Sequence, residues 1–388
     1  MFSYKLVEVK ERNFEMIKNL NYSLFRKLES HISYKLPVPV NISNFWNFGR
    51  CLGLFLSLQI ITGLLLASHY TADIRIAFDR IVSLSRDTSW GAMLRIVHLN
   101  GASMYFIFLY IHISRGLYYG SYSYTMTWLT GFCILIISIM VAFLGYVLPW
   151  GQIRYWGATV ITNLISAIPI LGSDIVRWIW GGFSISNATL TRFFIIHFCA
   201  PIVMVGFVGA HVFFLHKNGS QNPSNILRKY NILRFQPYFV FKDIIFFFIV
   251  LFFFELLIFL QPYLLGDPEN FSIANIISTP EHIIPEWYFL FAYAILRCIP
   301  RKGWGVIGIL ISVFVFLVPM FIVRQKSPNF RNRKGFSYLI QVTLWIFFTT
   351  VAVLTWLGAQ IVGAPFVIIS QITFLLYLSN WFLISLRL

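Results

Sequence analysis

Apolar residues dominate the chain in eight long runs, and short stretches between them carry most of the charged residues. The runs cover about residues 46–70, 90–119, 126–149, 189–216, 239–262, 303–323, 335–357 and 363–385. Each can cross the hydrocarbon core of a bilayer as an α-helix, which requires about 20 residues. Segments 152–180 and 279–299 are apolar but interrupted by proline, glycine and charge, which predicts helices in or near the membrane interface. The pattern predicts an all-α polytopic membrane protein with eight transmembrane helices.

Composition agrees with a membrane protein and excludes a soluble one. The 388 residues are 58% hydrophobic and 11% charged, with a mean hydropathy of +0.74, which is more apolar surface than a soluble domain can bury. The formal net charge is +16, but the basic residues flank hydrophobic runs, so we expect no nucleic-acid partner. The four cysteines stand singly in apolar stretches, without CxxC or CxxCH spacing, and are interpreted as buried thiols. We see no secretory signal peptide.

The distribution of charge between the loops predicts an orientation. With eight spans, both termini share a side with the loops near 120–125, 217–238 and 324–334, and most lysines and arginines lie there. The opposite loops hold most of the acidic residues outside the spans, namely Asp73, Asp79, Asp87, Asp174, Asp267, Glu269 and Glu281. By the positive-inside rule, the termini face the cytoplasm or matrix, here called the negative side.

Two predicted spans carry histidines at the same interval. His98 and His112 in the second span are fourteen residues apart, as are His197 and His211 in the fourth. Fourteen residues make just under four helical turns, so both imidazoles of a span project from nearly one face, about 21 Å apart. The two spans run in the same direction, so His98 pairs in depth with His197, and His112 with His211. Two histidines facing each other at one depth can supply both axial ligands of a haem iron that carries electrons.

Glycines and arginines around the histidines suit the same interpretation. Glycines repeat the fourteen-residue interval in the first and third spans, as Gly49 and Gly63 and as Gly131 and Gly145. They would leave room for a flat macrocycle between four helices, although glycine is also common at close contacts between membrane helices. Arg95 and Arg115 lie one turn outside their histidines and suit haem propionates. The alternative, less favoured by the spacing, is that they are interfacial anchors.

Other classes of protein also use histidines within the membrane. A lone histidine usually bonds to a neighbouring helix, but that does not explain four at matched spacing. A proton-coupled transporter is the leading alternative without haem, and we see no repeat of broken helices to support it. A haem-bearing membrane anchor of a dehydrogenase is a third alternative. Such an anchor would normally be smaller and would lack the PEWY stretch that follows.

A second candidate site lies between the fifth and sixth spans, in the stretch PEHIIPEWYFLFAYAILR. Glu286 follows a proline and precedes Trp287 and Tyr288, at the edge of the apolar zone on the positive side. A carboxylate there can accept a proton from a hydroxyl substrate dissolved in the lipid. The alternative is an interfacial aromatic anchor beside a solvated acid.

Several stretches together resemble the mitochondrial cytochrome b family over nearly the whole chain. They are NFWNFGRCLGLFLSLQIITG, RIVHLNGASMYFIFLYIHISRGLYYGSY, GYVLPWGQIRYWGATVITNLISAIP, residues 189–223, LLGDPEN and PEWYFLFAYAILR. One unbroken chain with 13 residues between His197 and His211 is similar to the mitochondrial and bacterial form. Residues 1–44 are a basic N-terminal arm, of which about the first 25 residues precede the matching region. The resemblance implies a dihaem four-helix bundle at 45–225 and a C-terminal membrane region at 226–388.

The resemblance implies roles for individual residues. His98 and His197 would ligate a low-potential haem, and His112 and His211 a high-potential haem. The quinol oxidation site would be lined by Glu286, Tyr288, Tyr293, Tyr146, Pro149, Trp150 and Gly157. The quinone reduction site, on the negative side, would be surrounded by His216, Ser220, Lys242 and Asp243.

The resemblance also implies an activity and partners. The chain would be the central subunit of quinol–cytochrome c reductase, respiratory complex III, in the mitochondrial inner membrane with both termini in the matrix. Ubiquinol would be oxidised near the positive side and quinone reduced near the negative side, with proton translocation. Expected partners are a Rieske iron–sulfur protein, a cytochrome c1-type subunit, other complex III subunits, a second copy of the chain, and lipids including cardiolipin.

Three residues depart from what is usual among these relatives. Gln236 stands where many have a histidine, and Glu281 where a neutral residue is usual. Glu255 lies in the middle of the fifth span, where an apolar residue is usual. We expect Glu255 to be either protonated or paired with a neighbouring subunit.

Overall fold

The computed structural model describes residues 36–223, 232–325 and 338–387. Within these ranges, eight helical segments are long and apolar enough to cross a membrane, as the sequence predicts. They are Asn44–Ala67, Gly91–Tyr118, Thr125–Val147, Asn187–Asn218, Tyr238–Leu260, Lys302–Ile322, Tyr338–Gly358 and Phe366–Ile384. The prediction of an all-α polytopic membrane protein is therefore confirmed. Most of the basic arm, residues 1–35, lies outside the described residues.

Short α-helices lie between groups of long ones along the chain. In order they are α1 (Phe48–Ala67), α2 (Ala77–Asp87), α3 (Gly91–Tyr118), α4 (Thr125–Val147), α5 (Gln152–Asn163), α6 (Gly172–Trp180), α7 (Asn187–Asn218), α8 (Tyr238–Leu260), α9 (Leu290–Cys298), α10 (Lys302–Phe314), α11 (Val318–Gln325), α12 (Tyr338–Gly358) and α13 (Phe366–Arg387). Turns of 3-10 helix occur at Asn44–Trp46, Ser121–Ser123, Leu164–Ala167, Pro268–Phe271, Trp287–Phe289 and Val315–Leu317. Two short strands, β1 (Pro37–Pro39) and β2 (Ile232–Arg234), pair antiparallel, with Val38 opposite Leu233.

Many hydroxyl side chains within the spans donate to carbonyls of their own helices. Thr62 Oγ1 donates to the carbonyl of Leu58 at 2.7 Å, and Ser138 Oγ to that of Ile134 at 2.7 Å. Thr350 Oγ1 does the same to Ile346 at 2.7 Å. A hydroxyl bonded to the carbonyl four residues earlier carries no unmet hydrogen bond into the lipid. These polar residues are therefore compatible with helices that cross a membrane.

The first four spans form two closely packed helix pairs, α1 with α3 and α4 with α7. Buried aromatic residues of α1 and α3, including Phe55 and Phe106, lie in the same apolar core as Met204 of α7. Tyr105 of α3 shares a hydrogen bond of 2.9 Å with Ser138 of α4. These contacts join the two pairs near the middle of the four helices.

The C-terminal helices form a second apolar core, made by α9, α12 and α13. Leu354, Leu357 and Tyr377 are fully buried there, and the Tyr377 hydroxyl donates to the carbonyl of Ser312 at 2.7 Å. Gly358 at the end of α12 lies directly against the backbone of Leu290. The close approach of these two helices depends on the missing side chain.

The connections differ from prediction in two places. Residues 77–87 form α2, which the pattern of long apolar runs does not reveal because this helix has only 11 residues with one buried side. The segment 279–299, predicted as helical, is helical only from Trp287 to Cys298. Pro280 and Pro285 explain the non-helical part, since proline removes an amide donor and disfavours helix before it. The other interfacial segment, 152–180, contains α5 and α6.

We expect Gly358→Ala to destabilise the protein. A Cβ at this position would lie 2.7 Å from the carbonyl carbon of Leu290 and 2.8 Å from its Cβ, and overpacking of this kind costs about 1–3 kcal/mol. The matched control is Gly303→Ala in α10, where an added Cβ has no neighbour within 4 Å. Thermal unfolding in one detergent should show a lower midpoint for Gly358→Ala alone. Equal midpoints for both variants would contradict the proposed close contact.

Candidate functional site

The structure brings the four span histidines together as two facing pairs. The ring centroids of His98 and His197 are 6.4 Å apart, and those of His112 and His211 are 6.2 Å apart. A metal bonded at about 2 Å to one nitrogen of each ring, on opposite sides, would separate the centroids by roughly 6 Å. Both pairs therefore have the spacing that two axial ligands of one metal require.

Hydrogen bonds at Nδ1 orient three of the four imidazoles. Thr62 Oγ1 lies 2.9 Å from Nδ1 of His98, and Thr130 Oγ1 lies 3.2 Å from Nδ1 of His211. Nδ1 of His197 donates to the carbonyl of Val141 at 2.8 Å. Metal-binding histidines usually have such a partner on the second ring nitrogen, which fixes the tautomer and leaves Nε2 as the ligand.

His112 has a different neighbour at Nδ1. Arg115 Nη2 lies 3.3 Å away, and a guanidinium can only donate. In this arrangement Nδ1 of His112 accepts, so the ring proton is on Nε2. His112 becomes a metal ligand only when Arg115 turns to another acceptor, such as a carboxylate of the bound group.

The four repeated glycines lie against the imidazole rings themselves. A Cβ added to Gly49 would lie 3.0 Å from Cε1 of His112, and one added to Gly131 would lie 3.0 Å from Cε1 of His211. The corresponding contacts join Gly63 to His98 and Gly145 to His197, and the last is the tightest. The glycine interval thus matches the histidine interval because each glycine packs against an imidazole of the neighbouring helix. The same glycines can also leave room for a macrocycle.

The donor set suits a metal that brings its own equatorial ligands. Across residues 36–223, 232–325 and 338–387, no three histidine, cysteine or acidic side chains come together to hold an ion. Each histidine pair supplies two nitrogen donors on opposite sides. A haem iron needs only these two from the protein, and bis-histidine ligation leaves no open position.

Two half-buried arginines lie beside the pairs. The Arg95 guanidinium lies 5.6 Å from the Phe271 ring centre, and that of Arg115 lies 5.3 Å from the Trp46 ring. Neither forms an ion pair with any residue that the structure describes. Buried charges usually have an ionic partner, so both positions suit carboxylates of a bound cofactor.

A cavity of about 300 Å³ extends from the His98–His197 pair to Glu286. Its volume is at the lower end of the range of about 300–1,000 Å³ for small-molecule sites. Its wall includes Gly63, Arg95, Tyr146, Pro149, Gly145, Arg154, Glu286 and Tyr288, together with apolar side chains. A ligand in this cavity can reach both the carboxylate and the edge of a group held by the histidines.

Glu286 is a protonatable group at neutral pH. Burial raises the pKa of its carboxyl to about 7; the charge of Asp267 also raises this pKa, whereas that of Arg154 lowers it. Glu286 lies outside the spanning segments, just before the Trp287–Phe289 turn. A carboxyl with this pKa can take up and release a proton near physiological pH, which is the property of a general base.

Aromatic residues hold the Glu286 segment in place. The Tyr288 ring stacks on Phe106 at a centroid distance of 4.1 Å and an angle of 5°. The backbone carbonyl of Tyr288 accepts from the hydroxyl of Tyr110, and Trp287 Nε1 donates to Ser103 Oγ at 3.2 Å. Burial raises the pKa of the Tyr288 hydroxyl well above its ordinary value, so this hydroxyl stays protonated.

Three residues predicted for the quinol site are not among those lining this cavity. The Tyr293 hydroxyl donates to the carbonyl of Ile283 at 2.7 Å and so holds the extended loop. Gly157 has the Tyr146 ring as its nearest neighbour, 4.0 Å from the point that a Cβ on Gly157 would occupy. Trp150 is buried, and its carbonyl accepts from the amide of Ala274 at 3.1 Å.

The residues predicted for a second site lie toward the other end of the spans. Asp243 in the second turn of α8 is buried and forms an ion pair with Arg50 of α1, while its Oδ1 has no hydrogen-bond partner in the described part of the chain. Lys242 Nζ donates to the carbonyl of Ile42 at 2.8 Å. His216 is in the last turn of α7, and Ser220 follows that helix.

Sequence reasoning missed Arg50, Arg154 and Asn270. Asn270 Nδ2 donates to the Tyr146 hydroxyl at 3.5 Å. Arg50 and Arg154 each stand in an apolar stretch, in FGRCLGL and GQIRYWGA. Ionisable residues in such surroundings are costly and usually functional, so the sequence alone could have indicated Arg50 and Arg154 as candidate site residues.

Fold and site together define a multi-pass, all-α membrane protein with two stacked histidine pairs in its first four spans. Residues 33–219 match the family model described as cytochrome b/b6/petB, and residues 273–378 match that of the cytochrome b C-terminal region/b6/petD. The chain therefore belongs to the cytochrome b/b6 family, which implies binding of haem b. A chain of a structure titled "Hyperthermophilic respiratory Complex III" is similar, at 28% identity and a TM-score of 0.86. The match covers 93% of this chain and 95% of that chain.

We expect Gly145→Ala to remove haem selectively from the His98–His197 pair, because the added Cβ would overlap the His197 imidazole. The control is Gly209→Ala in α7, where an added Cβ has no neighbour within 4 Å. Haem content per purified chain and a redox titration measure the effect. Full haem content in Gly145→Ala would contradict the role given to this contact.

Proposed function

We propose that the chain is the cytochrome b subunit of a mitochondrial ubiquinol–cytochrome c reductase. It would oxidise ubiquinol in the Glu286 cavity, near the positive side, and reduce quinone near Asp243, on the negative side, with coupled proton translocation. The observation that carries the proposal is the cavity shared by a histidine pair and a carboxyl with a pKa of about 7. The similar chain from a respiratory complex III supports it.

In this proposal the four histidines hold two b-type haems at two depths. His98 and His197 would bind the low-potential haem, and His112 and His211 the high-potential haem, with Arg95 and Arg115 beside the propionates. Bound haem supplies one-electron carriage over a separation of about 21 Å along α3. The protein's own part is to fix three of the rings by hydrogen bonds at Nδ1 and to pack all four against the glycines.

At the oxidation site, Glu286 accepts a proton from the quinol hydroxyl. The apolar surroundings that raise its pKa also exclude water, so the proton passes directly to the carboxylate. Tyr146 and Tyr288 define the walls beside Glu286. Tyr293 positions the loop through Ile283, and Gly157 keeps the space beside the Tyr146 ring clear.

At the reduction site, the Asp243 carboxylate takes up a proton from the negative side and passes it to the quinone oxygen. The half-satisfied carboxylate, with one oxygen paired to Arg50 and Oδ1 without a partner among the described residues, supports this role. Lys242, His216 and Ser220 would complete the surroundings of the quinone. Separation of the two sites along the spans lets proton uptake and release occur on opposite faces.

The proposed setting is the mitochondrial inner membrane, with both termini in the matrix. The excess of lysine and arginine in the loops on the side of the termini supports this orientation, although many of these residues lie outside the described ranges. Partners would be a Rieske iron–sulfur protein, a cytochrome c1-type subunit, other complex III subunits, a second copy of the chain and cardiolipin. Large apolar side chains exposed along α8, such as Phe248, Phe252 and Phe259, suit lipid or a neighbouring subunit.

The rate of quinol oxidation should rise with pH through about 7, because the carboxylate form of Glu286 is the base. We call this rise of the rate with pH the pH limb. We expect Glu286→Gln to abolish the pH limb and to lower the turnover number by about 10²- to 10⁴-fold. Both haems should stay bound. Turnover of the assembled complex with ubiquinol at several pH values measures the effect.

The control for this experiment is Glu281→Gln, on the same loop but exposed, which should leave the pH profile unchanged. Loss of haem in Glu286→Gln would assign the loop a structural role. An unchanged pH limb would exclude Glu286 as the base.

We expect Asp243→Asn to slow re-oxidation of the high-potential haem by quinone, because the amide cannot supply the proton and leaves Arg50 without its ionic partner. A slowing of about tenfold or more is expected. Re-oxidation followed optically in the assembled complex measures it. Glu255→Gln, exposed on the same helix, is the control. Unchanged re-oxidation in Asp243→Asn would remove Asp243 from the site.

A further inference from the structure

Arg154 is a buried arginine at the start of α5, in the wall of the Glu286 cavity. Its side chain belongs to a residue that is only 7% exposed, and it lines the cavity together with Glu286, Tyr146 and Tyr288. The guanidinium carbon lies 4.9 Å from the centre of the Tyr146 ring. The ring of Tyr146 thus contacts the guanidinium.

The donors of Arg154 have no acceptor in the described part of the chain. Its Nε is buried without a partner, and no hydrogen bond or ion pair joins its side chain to a described residue. Arg297 Nε is also buried without a partner, but Arg297 Nη2 donates to the carbonyls of Leu357 and Gln360 at 3.1 and 2.8 Å. A buried guanidinium without an acceptor is costly. Arg154 therefore requires an acceptor that enters from outside the protein.

The charges around Arg154 indicate which end of the cavity the acceptor occupies. Arg154 lies close enough to Glu286 and Tyr288 to lower the pKa of each, yet it forms no ion pair with Glu286. The carboxylate and the guanidinium thus face the same space without neutralising each other. An oxygen placed between them would meet a proton acceptor and a cationic donor together.

We propose that Arg154 donates a hydrogen bond to the quinol oxygen from which Glu286 takes a proton. The inference rests on the proposed function and adds a substrate-binding residue to it. In this step the O–H bond of the quinol breaks, a carboxyl O–H forms on Glu286, and the electron pair stays on the quinol oxygen. The fixed positive charge of Arg154 stabilises the resulting anion, and preorganised donors of this kind contribute strongly to catalysis.

A carboxylate of the haem at His98 and His197 is the other source of an acceptor oxygen. Arg95 is better placed for it, because Arg95 lies one helical turn from His98 on α3 and also lines the cavity. The experiment therefore includes a measurement on that haem.

The test compares Arg154→Met, Arg154→Gln and Arg154→Lys in the assembled complex, with a short-chain ubiquinol as the probe. Removal of a charged hydrogen bond predicts a fall in kcat/KM of about 10- to 100-fold for Met. Lys should retain most of the activity, and Gln should lie between Lys and Met. The pH limb assigned to Glu286 should also move to higher pH in Met and Gln, because the nearby positive charge is lost. Arg80→Met, on the exposed surface of α2, is the control and should behave as the wild type.

Haem content and the midpoint potential of each haem distinguish the outcomes. The proposal predicts that both are unchanged in all three variants, with kcat/KM and the pH limb altered. A shifted potential at the His98–His197 haem with unchanged kcat/KM would assign Arg154 to a cofactor carboxylate and overturn the proposal. Normal kinetics in Arg154→Gln with normal haem would also overturn it, even where Arg154→Met fails to assemble. A wild-type complex without quinol oxidation would instead reject the proposed function.

Discussion

The rest of the arrangement depends on one kind of contact, in which an imidazole packs against a glycine of a neighbouring helix. It occurs four times, at Gly49–His112, Gly63–His98, Gly131–His211 and Gly145–His197. These contacts lie within the two closely packed helix pairs, α1 with α3 and α4 with α7. The histidines on α3 and α7 then face each other across the pairs at about 6 Å between ring centroids. Helix packing thus sets the spacing within the two histidine pairs.

Burial of charge is the second constraint, and it locates the two chemical sites. Asp243 forms an ion pair with Arg50, whereas Arg95 and Arg154 have no ionic partner in the described part of the chain. At Glu286, burial instead raises the pKa of the carboxyl to about 7. Unpaired or half-paired groups of this kind are costly in an apolar medium unless a ligand completes them. In the proposed function, the cofactor and the substrate would complete the charge balance at these positions.

The sequence predicted the features that depend on periodicity and composition. Runs of about 20 apolar residues defined eight spans, and the direction of the spans paired His98 with His197 and His112 with His211. The short helix α2 and the extended course of residues 279–286 were not predicted, because the first is too short to span and proline disrupts the second. The ion pair of Asp243 with Arg50 joins residues far apart in the chain, so no local pattern reveals it. The packing of histidine on glycine was not predicted either, because the equal intervals were interpreted as room for a macrocycle.

An optical redox titration of the purified complex tests the assignment of two haems most directly. We expect two b-type haem components of equal size per chain, each titrating as a one-electron couple, at two separate potentials. Both should be reducible through ubiquinol. A single component, or a reduced spectrum without b-type haem, would contradict the assignment of the two histidine pairs.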